Sequence, residues 1–479
     1  NDRNMTVDGA FTLNLEGNPA FRSYEAADTN TAHSTLTVRD SVDGPRRPIP
    51  ADRWAFGRCP TGRASLAPSA FDICLFDGFR LDRLYELIYS AKNPIVMGLG
   101  FATTRDVASF LRYEARDASG NPNPLAAAGG SPIRRIYATG SSQTAGYLRD
   151  YVYQGFNEDE SHRKVFDGII PTIAGTIRVF INVRFADPNV YADQDVTHDY
   201  LLSSYPPFTY AVTTDPLSGV RDGLLKRPAT DPFVFHLDSS TEFWQLYASL
   251  NVIDAAGQPV PTPPNVRLYF HSSTGHGFTT GGLLTPPPGR LPRCANPTPT
   301  STGDVTRALL VAIDAWADRG VEPPPSTYPR VDDGTLVPVA EAVRAFPSIP
   351  GFKSTTVVNE LDLLNFGPTF GRTGGVIAQH PPLVGPRYPM LVPKPDADGL
   401  DIAGIRAMQI RVPLGTSTGW NVRASGHREP ALCGLTGSYL PFAKTKAERM
   451  ASGDPRLSLE ERYRDRSGLV AAVERATRE

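Results

Sequence analysis

A run of small and hydroxyl-bearing residues, Gly140–Thr144, has the composition of a turn that presents a nucleophile. A short segment before it, Arg134–Thr139, has the pattern of a buried strand. A stripe of apolar side chains at helical spacing, from Tyr147 to Val152, follows it. A hydroxyl on a sharp strand-to-helix turn is exposed for attack, and the first amides of the helix point towards the oxyanion that forms. The pattern therefore predicts a serine nucleophile at this turn.

The side-chain size that the turn allows at its flanking positions distinguishes between its two serines. With Ser142 as nucleophile, the positions two before and two after it are Gly140 and Thr144, both small enough for close approach of strand and helix. With Ser141, one flanking residue would be Gln143, which is too bulky. Ser142 is therefore the predicted nucleophile, and the backbone N–H of Gln143 is the predicted oxyanion-hole donor. Asn93 and Gly100 remain open as the second donor.

A serine nucleophile needs a general base, and His276 is the best placed histidine. It lies in a glycine-containing loop, Thr274–Gly277, directly after the strand candidate Val266–His271. A loop after a late strand delivers a side chain to the end of the sheet where the nucleophile lies. His271 competes with His276, but its place at the strand end favours a structural role.

The base needs an orienting carboxylate, which in this chain order should follow the preceding strand candidate, Pro232–His236. Asp238 and Glu242 both do so. Asp238 follows the strand closely and is suited to capping a helix, whereas Glu242 has the longer reach. From position alone, both carboxylates remain open.

The segment GSSQTAGYLRDYVYQGF, Gly140–Phe156, resembles the elbow of a bacterial family of alpha/beta hydrolase domain-containing proteins. That elbow reads Gly-x-Ser-Gln-Ser/Thr. The resemblance extends from about Pro60 to the C-terminus, through Gly98–Phe101 with Arg105-Asp106, Phe166–Gly168, Asp215–Leu217, Ser240–Trp244, His276-Gly277 and Cys433–Ser438. The chain departs from the family at Phe243 and at Thr144-Ala145, and neither change touches the chemistry.

The resemblance implies a Ser-Glu-His triad at Ser142, Glu242 and His276, and thus a serine esterase that acts on a small-molecule carboxylic ester without a cofactor or metal. The segment around Trp316 to Pro323 is also similar to tannases and feruloyl esterases, which hints at bulky or aromatic esters. The alternatives are a lactonase, an amidase or an acyltransferase with the same triad, or an inactive binding protein on a hydrolase scaffold.

Strand and helix patterns alternate through the middle of the chain. Besides the segments named above, we predict strands at Leu84–Tyr89, Ile95–Phe101 and Phe166–Ile173, a helix that Thr103 or Thr104 caps, and a helix at Val305–Arg319. Alternation of this kind is typical of a mostly parallel sheet that helices flank on both faces. The predicted fold class is therefore α/β, of the α/β-hydrolase type.

The composition and the predicted strands and helices divide the chain into three parts. Residues 1–80 are predicted to form an irregular, β-containing N-terminal layer. Residues 81–320 form the catalytic core, with an insertion at about 176–230. Residues 321–479 form a C-terminal extension or lid, in which Trp420 and Tyr439 are candidates for lining the substrate pocket, although ordinary packing is favoured for both.

Bulk composition limits the possible partners. The chain has 479 residues, a formal net charge of −2 and a sequence pI of about 6.5, which argues against nucleic-acid binding. Its longest apolar run, Pro94–Ala102, is about half of the roughly 20 residues that a membrane span needs. Two acidic clusters, 193–199 and Asp396–Asp401, lack a full ligand set and are interpreted as a solvated loop and a tight turn.

The four cysteines, at positions 59, 74, 294 and 433, contain no CxxC pair and so do not indicate a zinc or thioredoxin-like site. The even count in a loop-rich chain favours disulfides, with Cys59 paired to Cys74 and Cys294 to Cys433. The chain begins with Asn1, which suits a processed precursor. We therefore expect a secreted or periplasmic protein.

Overall fold

A computed structural model gives the fold. It describes the backbone of residues 2–8 and residues 24–40, 44–80, 83–93, 96–126, 132–183, 204–277, 294–296, 304–368, 370, 377–379, 382–425 and 431–478. The acidic cluster at 193–199 lies outside these described residues, as does part of the insertion.

The chain forms short strands and helices in alternation. The strands are β1 (Asp2–Asp8), β2 (Thr35–Arg39), β3 (Arg47–Pro48), β4 (Trp54–Arg58), β5 (Ala67–Leu75), β6 (Leu84–Ser90), β7 (Tyr137–Ser141), β8 (Gly168–Thr172), β9 (Thr213–Thr214), β10 (Arg221–Asp222), β11 (Phe233–Ser239), β12 (Val266–His271), β13 (Leu336–Pro338), β14 (Asp362–Asn365), β15 (Leu383–Arg387), β16 (Leu391–Pro393), β17 (Gly415–Thr418) and β18 (Ser438–Pro441). The α-helices are α1 (Leu99–Tyr113), α2 (Gln143–Gln154), α3 (Ser240–Gln245), α4 (Asp304–Arg319), α5 (Val339–Ala345), α6 (Met408–Arg411), α7 (Lys446–Ser452), α8 (Leu459–Tyr463) and α9 (Arg466–Arg478). Single 3₁₀ turns lie at Thr31–His33, Arg63–Ser65 and Ala248–Asn251.

Four strands form a parallel sheet in the order β12-β11-β8-β7. Successive residues of these strands pack into different hydrophobic cores, because the side chains of a strand alternate between the two faces of the sheet. Ile169 and Val234 pack with Leu148 of α2, whereas Ile170 and Phe235 pack with Ile313 of α4. Helices therefore cover both faces, which explains why β8 and β11 are largely apolar in sequence.

The N-terminal layer is antiparallel. Strand β6 lies between β1 and β2 in a four-stranded sheet, and β4 pairs with β5. A disulfide joins Cys59 and Cys74, with Cα atoms 5.7 Å apart, and so confirms the first cysteine pairing. The division of the chain at residues 80 and 320 stays a prediction.

The C-terminal region continues the central sheet. Thr327 makes a parallel bridge to Tyr269, and Ile405 makes one to His271, both beside β12. A second disulfide joins Cys294 to Cys433, with Cα atoms 5.6 Å apart, as the sequence predicts. Two segments of the chain after residue 321 thus lie alongside β12 at the edge of the sheet.

Two predicted elements are wrong in detail. The expected strand Ile95–Phe101 is replaced, in its described part, by the start of α1 at Leu99, so neither Thr103 nor Thr104 is the cap. An apolar run with two glycines reads as a strand, but the buried positions Phe101 and Ala108 follow helical spacing.

The nucleophile strand begins at Tyr137 and not at Arg134. Side chains hold the backbone before it: Arg112 donates to the carbonyl of Arg134 at 3.1 Å, and the Ile136 amide donates to Asp167 at 2.9 Å. In the described part of the chain, no helix is long and apolar enough to cross a membrane.

Candidate active site

Ser142 occupies the sharp turn between β7 and α2. Its backbone has φ 55° and ψ −120°, a conformation that costs a residue with a side chain roughly 1–3 kcal/mol. The amide of Ser142 donates to the carbonyl of Thr172 on β8 at 2.9 Å, and its carbonyl accepts from the Gly146 amide at 3.0 Å. The sheet and the helix thus hold the strained residue from both sides, and its side chain is half-buried.

The turn depends on the absence of a side chain at Gly140. A Cβ there would overlap with the carbonyl of Thr144 and would lie 2.9 Å from the Ala145 nitrogen. The Thr144 hydroxyl donates to the Ser141 carbonyl and accepts from the Ser141 amide, both at 2.8 Å. The Thr144 hydroxyl therefore stabilises the turn through two hydrogen bonds, a role that its modest size alone does not predict.

His276 lies between Ser142 and Glu242. Its Nε2 is 2.7 Å from the Ser142 Oγ, and its Nδ1 is 2.6 Å from Oε1 of Glu242. A carboxylate can only accept, so the proton belongs on Nδ1, and Nε2 is left to accept from the serine hydroxyl. The structure thus brings together the three side chains that the sequence singled out, from positions 134 and 34 residues apart.

The other oxygen of Glu242 is fixed by the backbone. Oε2 accepts from the Ser239 amide at 2.6 Å, and Glu242 is fully buried. Ser239, and not Asp238, is the N-cap of α3, with Glu242 three residues further on. The Ser-x-x-Glu pattern of a capping box was the sequence signal for this orientation, and it was missed.

Asp238 lies away from His276 in a separate buried network. Its carboxylate accepts from His236 Nε2 at 2.8 Å, from the Gly175 amide at 2.9 Å and from Asn251 Nδ2 at 3.2 Å. Burial alone would raise the pKa of Asp238, but these donors and Arg149 hold it below its ordinary value. The carboxylate is occupied by structural partners.

The same network continues through His236. Since Nε2 donates to Asp238, Nδ1 accepts, from the Tyr210 hydroxyl at 2.8 Å and from Arg149 at 3.2 Å. Burial lowers the pKa of Arg149 and raises the pKa of Tyr210 to about 12. These groups link α2, β11 and the segment before β9 beneath the site.

Gln143 is the first residue of α2, so its amide belongs to the turn where helix amides lack intrahelical acceptors. Of the two candidates for a second oxyanion donor, the Gly100 amide donates to the Met97 carbonyl at 3.1 Å. The Asn93 side chain donates to Glu25 at 2.8 Å. The structure thus gives both candidates other partners.

Two cavities lie near the described part of the central sheet, and Ser142 lines neither of them. A small, partly enclosed one of about 10 Å³ is lined by Trp244, Asp401 and Trp420, and it has room for about one water. An open apolar groove of about 660 Å³ includes Tyr137, at the far end of β7. Trp420 is buried and packs on Trp244, whereas Tyr439 is half-buried in β18; their predicted role in lining the pocket stays untested.

Among the residues with described side chains, no group of three or more His, Cys, Asp or Glu residues is placed to hold a metal ion. Residues 396–400 form a tight turn in which the Asp396 carboxylate accepts from the amides of Asp398 and Leu400 at 2.9 and 3.0 Å. The chemistry that this site can perform is proton transfer and nucleophilic attack by a serine.

The comparison with protein families gives one match. The family model described as alpha/beta hydrolase domain matches residues 69–479, well over half of the chain. No curated protein and no solved structure matches the chain.

Proposed function

Because the chain belongs to the alpha/beta hydrolase domain family, we propose that it is a serine hydrolase that cleaves carboxylic esters. The proposed triad is Ser142, Glu242 and His276. The observation that carries the proposal is the pair of short contacts of one imidazole, 2.7 Å to a hydroxyl on a strained turn and 2.6 Å to a buried carboxylate. The proposed fold is the α/β-hydrolase fold, which the four parallel strands with helices on both faces support.

In the proposed reaction, His276 Nε2 takes the proton of Ser142 as Oγ attacks the ester carbonyl carbon. The Glu242 carboxylate accepts from Nδ1–H and stabilises the imidazolium that forms. The carbonyl oxygen becomes an oxyanion, which the Gln143 amide and the N-terminus of α2 stabilise. His276 then donates its proton to the leaving alcohol as the C–O bond breaks.

An acyl group remains on Ser142 after this step. A water molecule gives its proton to His276 and attacks the acyl carbon, and the carboxylic acid leaves as the proton returns to Oγ. Each role is filled by a residue of this chain, and the substrate is proposed to be a small-molecule ester.

A panel of p-nitrophenyl esters, anilides and lactones tests the reaction class. We expect turnover of esters well above that of anilides and lactones, and Ser142→Ala should lower it by roughly 10⁴–10⁶-fold. Turnover of anilides or lactones in preference to esters would move the assignment to an amidase or a lactonase. Turnover of none of them would favour a binding protein on a hydrolase scaffold.

The proposed location is outside the cytosol, in the periplasm or secreted. Two disulfides support it, because such bonds persist in oxidising compartments. Fractionation of cells that express the protein from its natural gene would test this location directly.

A further inference from the structure

The segment 401–405 lies against the loop that carries His276. The Ile405 amide donates to the Phe270 carbonyl at 2.7 Å, and the Ser272 amide donates to the Ile405 carbonyl at 3.1 Å. Gly404 has φ +89°, and a Cβ there would overlap with Phe270. The close approach of this C-terminal segment to the end of β12 therefore requires glycine at that position.

Asp401 makes three hydrogen bonds to this loop. Its carboxylate accepts from the Ser273 amide at 2.7 Å, and its own amide donates to the Ser273 hydroxyl at 2.6 Å. Its carbonyl accepts from the Ser272 hydroxyl at 3.0 Å. Asp401, Ser272 and Ser273 are all buried. These bonds end three residues before His276.

The backbone of Ser273 is in the left-handed region, with φ 54°. A residue other than glycine keeps such a conformation only where its surroundings impose it. The reciprocal bonds with Asp401 impose it here. The direction in which the chain leaves Ser273 decides where the imidazole of His276 lies.

We propose that Asp401 is a positioning residue, whose carboxylate holds the Ser273 amide so that the His276 imidazole stays between Ser142 and Glu242. This inference rests on the proposed function, because it assigns His276 as the base. The buried Asp401 carboxylate would thus connect the C-terminal region to the proposed catalytic step.

The strength of this hold depends on the ionisation of Asp401. Burial raises its pKa to about 6, against hydrogen bonds from Ser273 and Ser240 and with the nearby charge of Asp396 adding to the rise. An ionised carboxylate is a stronger acceptor than a neutral one, so the Ser273 amide is held less firmly once Asp401 is protonated.

Other titratable groups lie on the elements around Asp401. Arg406 pairs with Asp396 at 3.2 Å, and Lys394 pairs with Glu341 at 3.0 Å. The adjacent strand β12, the loop after it and helix α3 also carry Arg267, Tyr269, His271, His276 and Glu242. A ratio of the rates of two variants at each pH removes every pH effect that the two variants share.

The decisive variant is Asp401→Asn, which keeps the volume and an acceptor oxygen but has no charge. We expect wild-type kcat on p-nitrophenyl acetate, per serine labelled by a fluorophosphonate, to exceed the variant's by about tenfold at pH 8, with KM unchanged. At pH 5 the ratio should fall to less than about twofold, because wild-type Asp401 is then protonated.

The matched control is Asp454→Asn. Asp454 and Asp401 are both 7% exposed, but Asp454 pairs with Arg456 at 2.6 Å, away from the loop. Its pKa lies below the ordinary value, since its donors outweigh burial, so it stays ionised between pH 5 and 8. The ratio of wild type to this variant should be the same at both pH values.

Three results overturn the inference. Equal kcat of wild type and Asp401→Asn at pH 8 would do so. A ratio of wild-type kcat to Asp401→Asn kcat that does not change with pH, together with a lower unfolding temperature of the variant, would also overturn it. That result would show that Asp401 is merely structural. A wild-type protein that neither labels nor turns over ester would remove this inference and the proposed function together, whereas the first two results leave the proposed function intact.

Discussion

At the scale of single residues, Glu242 and Asp238 are four positions apart on one strand-to-helix junction, yet their carboxylates have different partners. Glu242 contacts His276 at 2.6 Å, whereas Asp238 contacts His236 at 2.8 Å. The difference follows from the capping geometry, in which the Ser239 amide turns Glu242 back towards the start of α3. One carboxylate therefore belongs to the proposed triad, and the other belongs to a buried hydrogen-bond network.

Glu242→Gln is expected to lower kcat on esters by roughly 10²–10⁴-fold, because an amide favours the wrong imidazole tautomer and cannot balance its charge. Asp238→Asn should lower kcat by less than about tenfold, since it leaves the triad contacts in place. Steady-state kinetics of both variants checks this. The reverse order of effects would assign the triad acid to Asp238.

Asp238→Asn is expected to lower the free energy of unfolding by about 2–3 kcal/mol at pH 7, because it leaves buried donors without a carboxylate. The folded-state pKa of Asp238 lies below its ordinary value of 3.8, so its stabilisation is present at pH above that value and is lost as the pH falls through the folded-state pKa. The difference between wild type and variant should therefore shrink below about pH 4. Urea titrations at several pH values measure it, and a difference that grows in acid would contradict the assignment.

At the scale of elements, the turn between β7 and α2 depends on close approach at Gly140. Gly140→Ala is expected to lower both the unfolding temperature and the ester turnover, because its Cβ would overlap with the Thr144 carbonyl. Gly100→Ala is the matched control for stability: the space there is open, and alanine favours helix by about 1 kcal/mol. Equal unfolding temperatures of the two variants would show that the turn tolerates a side chain.

Strands β8, β11 and β12 could be predicted from sequence because they are mostly apolar and are buried on both faces of the sheet, and β12 has the predicted bounds Val266–His271. The start of α1 could not, since two glycines in an apolar run read as a strand. Ser142 and His276, whose side chains lie in contact, each have a local signal in residue type and spacing, so both could be proposed for the site from the sequence. Asp401 was missed because its contact with Ser273 joins positions 128 residues apart and no local pattern records it.

At the scale of the whole molecule, the two disulfides close chain loops of very different length. Cys59 and Cys74 are 15 residues apart, and Cys294 and Cys433 are 139 apart. Chain entropy predicts about 3 kcal/mol for the short loop and about 5 kcal/mol for the long one. The long bond also ties the segment after His276 to the C-terminal region.

The double variant Cys294→Ser/Cys433→Ser should therefore lose more unfolding free energy than Cys59→Ser/Cys74→Ser. Denaturant titration of both variants measures the difference. A thiol count of the denatured, unreduced wild type should find no free thiol, and four after reduction. Four thiols before reduction would contradict both pairings and remove the support for a location outside the cytosol.

The proposed reaction requires the hydroxyl of Ser142 to be the activated nucleophile of this molecule. Intact-mass and peptide mass spectrometry after reaction with a fluorophosphonate tests it most directly. One adduct per chain is expected, on the peptide that contains Ser142, with none in Ser142→Ala and a much slower reaction in His276→Ala. An adduct on another serine, or a wild-type chain that stays unlabelled while folded, would contradict it.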